Sequence, residues 1–162
     1  VHEVIREGVS YVPQGRGVFN SLTVEENIKL ALFGSKNLGS IDIAWSTFPL
    51  LYEFRKKKGG FLSGGEQKML SIARALVSVP KLIILDEPSD ALQPSSVTLL
   101  SEILSSVVKE FGFSILLVEQ NLEVVRNIAS SCTFLDDGQI TKEISINKIT
   151  SYLPEIREFL AF

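Results

Sequence analysis

The chain has 162 residues, 45% of them hydrophobic and 22% charged, a balance that suits one globular unit with a core and excludes wholesale disorder. A formal net charge of −3 provides no basic surface and so argues against a general affinity for nucleic-acid phosphates. The apolar runs fall far short of the ~20 residues that cross a bilayer, Val1-His2-Glu3-Val4 has no secretory-leader pattern, and a single cysteine, Cys132, rules out an internal disulfide.

Val9 to Val12 reads as a short apolar strand ending at Pro13-Gln14, with Gly15 and Gly17 marking a loop. Thr23 and Glu26 form a capping-box pattern that opens a helix carrying Ile28, Leu30, Ala31 and Leu32. Gly34 to Ser40 reads as a loop. A second helical stretch is predicted from about Asp42 to Lys58, kinked or restarted at Pro49 and ended by Gly59-Gly60; its basic run Arg55 to Lys58 reads as a solvated helix end. Ser63 and Glu66 repeat the capping box ahead of a helix whose apolar stripe runs from Met69 to Val77.

Pro80 stops that helix. Leu82 to Leu85 is an unbroken apolar run of the kind that suits a parallel strand buried on both faces, and Ile115 to Val118 reads as a second buried strand. Between them a helix is expected from Pro94 to about Glu110, stopped by Gly112. Leu122 to Ala129 is a short helix, Asp136-Asp137-Gly138 is the turn of a hairpin, and Ile146 to Phe162 is a weaker helical tail. Cys132 reads as a small buried hydrophobe on a strand. The alternation predicts an α/β fold with a largely parallel sheet flanked by helices, and the strand-free region from Thr23 to Gly60 reads as an inserted helical subdomain.

Three sites carry chemistry. Asp86 and Glu87 close an apolar strand, and ligands sit beyond the carboxyl ends of such strands. Adjacent acids there suit Mg²⁺ and an attacking water, with Asp86 on the ion and Glu87 on the water; two solvated acids at a strand end read equally well. Ser63, Gly64 and Gly65 start a helix and form a potential anion site, against the plainer alternative of a capped helix with a flexible lead-in. Gln14 follows a strand and precedes a glycine loop, where its amide offers oxygen to a metal or bonds a water, or where it simply makes a turn.

Taken together and in this order, the three resemble the ABC ATPases, a branch of the P-loop NTPases. Tyr11-Val12-Pro13-Gln14 is similar to the family's Q-loop, Leu62 to Gln67 to its signature motif, and Leu82 to Glu87 to its Walker B strand. Val12 to Phe19, Ser21 to Asn27 and Leu117-Val118-Glu119-Gln120-Asn121 resemble the ATPases of branched-chain amino-acid importers and of related urea importers. The resemblance implies ATP and Mg²⁺ as cofactors. Glu87, Gln120 and Gln14 would be catalytic. Asp86 and Gln14 would hold Mg²⁺. Ser63, Gly64, Gly65 and Glu66 would touch the γ-phosphate across a dimer.

It further implies a second ABC ATPase subunit and transmembrane permease subunits as partners, with no nucleic acid. The protein would sit at the cytoplasmic face of the cell membrane and touch it only through the permease. Residues 1–22 would end a core strand and form the Q-loop, 23–60 the helical subdomain, 61–145 the signature, Walker B, D-loop and switch regions, and 146–162 a tail. Two features depart from the pattern. Ser89 to Gln93 is an unusual D-loop, with Ala91 and Gln93 where glycine and aspartate are common in the relatives. No G-x-x-x-x-G-K-[ST] loop occurs in the chain. The expectation is therefore an N-terminally truncated subunit that neither binds nor hydrolyses ATP alone and exposes apolar strand faces. The alternatives are an ABC ATPase of translation or DNA repair, and a non-hydrolysing fragment.

Overall fold

The computed structural model describes residues 2–15, 17–33, 39–90 and 92–147. Three strands, β1 (Val9–Val12), β2 (Leu82–Asp86) and β3 (Ser114–Val118), form a parallel sheet in the order β1-β2-β3. A short helix, α1 (His2–Arg6), precedes β1 and was not expected. An antiparallel hairpin, β4 (Ser131–Asp136) with β5 (Gln139–Ser145), lies outside the sheet and packs on α7 (Leu122–Ile128) through Val125 and Ile144. Cys132 on β4 is half-buried in that small cluster, and burial pushes its thiol pKa up.

Between β1 and β2 the chain folds into α2 (Val24–Leu32), α3 (Ile41–Thr47), α4 (Pro49–Glu53) and α5 (Gly64–Leu76). Pro49 sits at the start of α4, so it restarts rather than kinks the helix. The predicted helix to Lys58 ends instead at Glu53. The carbonyls that would continue it are used elsewhere: Val24 N donates to Lys57 O at 2.9 Å and Glu25 N to Arg55 O at 3.0 Å. These are two of the first-turn amides of α2 that no intrahelical bond satisfies, and Thr23 Oγ1 accepts a third from Glu26 N. The Glu25 carboxylate then takes both Lys29 and Lys56, which hold its pKa down at about 2. The basic run is thus a strap over the start of α2.

One core joins the sheet to the helical insertion. Val12, Ile83 and Leu85 meet Leu70, Ile72 and Leu76 of α5, Val24 and Ile28 of α2, and Leu100 and Leu104 of α6 (Pro94–Phe111). Gly112 ends α6 at φ 70°, a left-handed cap where glycine carries no Cβ penalty. The reading of β2 and β3 as strands buried on both faces does not hold, whereas the expected exposure of apolar strand faces is present. Ile83 and Leu85 are fully buried, but the opposite face carries Tyr11 at 58%, Leu116 at 54% and Val118 at 50% exposure. The reason is that α2, α5 and α6 share one core with the Val12, Ile83 and Leu85 side of the strands. The expected loop Gly34 to Ser40 lies outside the described residues over 34–38, as do Arg16, Ala91 and the tail 148–162.

Candidate functional site

The parallel register places Val12 beside Leu85 and Asp86 beside Val118, so the ends of all three strands open on one edge. Glu87 follows β2 with φ 45°, a left-handed backbone that costs a non-glycine residue ~1–2 kcal/mol. Its amide donates to Val118 O at 2.9 Å and its carbonyl accepts Asp90 N at 3.1 Å, which turns the side chain out of the strand direction. The carboxylate is then bracketed: Gln14 Nε2 donates to Oε2 at 2.7 Å and Gln120 Nε2 to Oε1 at 2.9 Å. Three residues separated by 73 and 33 positions in sequence therefore meet around one acid.

Asp86 points to the bare face of the sheet, where Tyr11 Oη donates to its Oδ2 at 2.9 Å. That bond to a carboxylate raises the tyrosine pKa, helped by desolvation and the acid's charge. Among the described residues no cluster of three or more His, Cys, Asp or Glu forms a metal cage, so an ion here would need oxygens from elsewhere. No described helix is long and apolar enough to cross a membrane.

The Ser63 turn forms the tip of α5. Its capping box is formed: Glu66 N donates to Ser63 Oγ at 3.3 Å, and Ser63 N to Glu66 Oε2 at 2.7 Å. Glu66 is therefore engaged in closing its own helix. Ser63 and Gly64 are exposed, and a Cβ added to Gly64 would meet nothing within 4 Å. No packing inside this chain requires glycine there. Gly65 is more confined, with Leu92 Cδ2 at 3.5 Å from its notional Cβ.

Residues 1–90 match the sequence profile of the family described as ABC transporter. The chain belongs to the ABC transporter family. It is 40% identical over 140 residues to the high-affinity branched-chain amino acid transport ATP-binding protein BraG of Pseudomonas aeruginosa, covering 85% of this chain and 60% of that protein. It is 34% identical over 154 residues to the probable branched-chain amino acid transport ATP-binding protein LivF of Archaeoglobus fulgidus, covering 93% and 65%. The chain thus spans less than two thirds of either relative. Its fold resembles that of the ATP-binding cassette MJ0796, solved as a dimer in a post-hydrolysis state with ADP and Pi, at TM-score 0.76 and 26% identity over 89% of this chain and 65% of that one.

Within this ABC transporter chain, sequence reasoning missed several polar partners. Glu119, quoted only as part of a motif, accepts Ser89 N at 2.8 Å, Gln120 N at 3.1 Å and Asn121 N at 3.0 Å, tying the loop after β2 to the loop after β3. Arg74 of α5 donates to Gly17 O and stacks over the Phe19 ring at 4.8 Å, although burial lowers its pKa. Asn27, fully buried, accepts from Phe19 N and donates to three carbonyls. A polar residue on the apolar stripe of α2 was the available signal for Asn27. The bond from Ser89 N to Glu119 and the Arg74 contacts left none, because they join segments distant in sequence.

Proposed function

We propose that this chain is part of the ATP-hydrolysing subunit of an ABC importer whose cargo is a branched-chain amino acid or a related small solute. The observation that carries the reading is the Glu87 carboxylate held between two amides at the open end of a parallel sheet. In this reading Glu87 polarises the attacking water as a general base. Each of its oxygens accepts one amide, from Gln14 and from Gln120, and keeps lone-pair capacity for a water proton. Gln14 turning its amide oxygen to an ion and Gln120 turning to the γ-phosphate would leave the whole of the Glu87 charge to the water.

The oxygen-only donor set of Asp86 and Gln14 suits a hard ion such as Mg²⁺, which takes few protein ligands and completes its shell with water and phosphate. When bound, Mg²⁺ would neutralise charge on the phosphates. Ser63, Gly64 and Gly65 would contact the γ-phosphate of a nucleotide held by a second subunit, with the exposed turn and the unobstructed Gly64 supporting that docking. Nucleotide-driven closure of the pair would shift a population, and the helical insertion would carry the movement to permease subunits at the cytoplasmic face of the membrane.

The test is Glu87→Gln in the full-length protein with its partner subunit. Turnover should fall by at least ~100-fold while ATP remains bound and trapped. Turnover within a few-fold of the parent would overturn the assignment of Glu87.

A further inference from the structure

Among the described residues, Lys68 on α5 is the one charged side chain that is buried, at 4% exposure. Its Nζ lies 3.5 Å from the main-chain oxygen of Glu87. The charges that act on it are Asp90, Glu119, Asp86 and Glu87, in that order of strength. Burial lowers its pKa and these acids oppose that shift. A buried cation is costly unless neighbouring acids compensate it, so this position asks for a reason.

The surroundings of Glu87 supply one. Each of its polar groups is held from a different segment: the amide by β3, the carbonyl by Asp90 N and by Lys68, and the two carboxylate oxygens by Gln14 and Gln120. Its backbone is left-handed, a conformation that persists only where the surroundings impose it. Glu119 holds the amides of Ser89, Gln120 and Asn121, so its charge sits between the two loops that flank Glu87. Lys68 is the α5 side chain in contact with Glu87.

We propose that Lys68 is a positioning residue for Glu87: a buried cation that braces the Asp86–Asp90 turn through the Glu87 carbonyl and fixes the backbone from which the Glu87 carboxylate is presented. The inference rests on the reading of Glu87 as the group that polarises water. It assigns a task to a helix whose tip, Ser63 to Gly65, is assigned to a different nucleotide. Removing the charge while keeping the stem leaves the Glu87 carbonyl with Asp90 N alone. The carboxylate then loses its aim, and turnover falls without a matching loss of nucleotide affinity.

The experiment compares Lys68→Met, Lys68→Gln and Lys68→Arg in the full-length protein assembled with its partner subunit, with Glu87→Gln alongside. Lys68→Met and Lys68→Gln should lower kcat roughly tenfold with the ATP KM within about twofold of the parent, and Lys68→Arg should recover most of the loss. Two independent outcomes would overturn the proposal: parental kcat in either neutral variant, or a fall in kcat matched by an equal rise in KM in all three variants. If Met at position 68 prevents folding, the neutral, hydrogen-bonding Gln decides the matter by the same split. A dead Glu87→Gln beside a fully active Lys68→Met would remove this inference alone. An active Glu87→Gln would remove the reading on which it rests.

Discussion

Replacing Asn27 by Leu tests how the loop after Gln14 is fixed to the helical insertion. Leu has similar volume and favours helix, so the substitution chiefly removes hydrogen bonds. Asn27 donates to Phe19 O, Leu22 O and Thr23 O at 3.0, 3.2 and 2.9 Å, and accepts Phe19 N at 2.8 Å. The three carbonyls keep other partners: Leu22 N serves Phe19 O, Gly59 N serves Leu22 O, and Asn27 N serves Thr23 O. Phe19 N–H loses its acceptor. One amide stripped of its partner costs ~1–3 kcal/mol, whereas three carbonyls that share the two Nδ2 hydrogens and retain another bond add little, so the expected loss is about 2 kcal/mol. Urea denaturation of the full-length protein measures the loss, and hydrogen exchange at Phe19 locates it. A change under ~0.5 kcal/mol, or unaltered exchange at Phe19, would refute the partner counting.

Two further outcomes are expected. Gly64→Ala should leave the fold intact or stabilise it by up to ~1 kcal/mol, because its Cβ meets open space in a helical residue; ATPase activity should nonetheless fall at least ~10-fold, and a fully active variant would remove the Ser63 turn from the nucleotide site. The Glu25 carboxyl, with its pKa held at about 2 against an ordinary 4.5, contributes stability that is complete above pH 4.5 and disappears as pH falls through 2. Titration of its side-chain carbon by NMR at low salt checks this, and an ordinary midpoint near 4.5 would show that the Lys29 and Lys56 contacts do not persist in solution.

Local signals carried well from sequence to structure. Both capping boxes formed, Gly112 ended its helix, and the Asp137-Gly138 turn closed its hairpin, because each is decided by a few neighbouring residues. The site was legible as separate pieces: Gln14 and Glu87 could be marked as strand-end residues and Gln120 through the family resemblance, and the parallel register then brought them together. What failed depended on distant partners. Residues 54–58 have helix-forming side chains, but their carbonyls are recruited by the first turn of α2, a contact that no local pattern encodes. Hydropathy cannot say whether a second layer covers the far side of a sheet, so Leu116 and Val118 read as core. Lys68 left no trace for the same reason, since the acids around it come from two other loops.

Helix α5 bears Ser63 at its tip, Lys68 beside Glu87 and Arg74 on Gly17 and Phe19. From first to last these points lie about 16 Å apart along a rigid rod. A rod does not absorb a push at one end; it passes it on. Any body pressing on the exposed tip must therefore be felt both at the acid that faces water and at the segment after Gln14. On the proposed function, timing between two subunits would need no separate relay, since the tip proposed to meet the second subunit belongs to the same piece that braces Glu87.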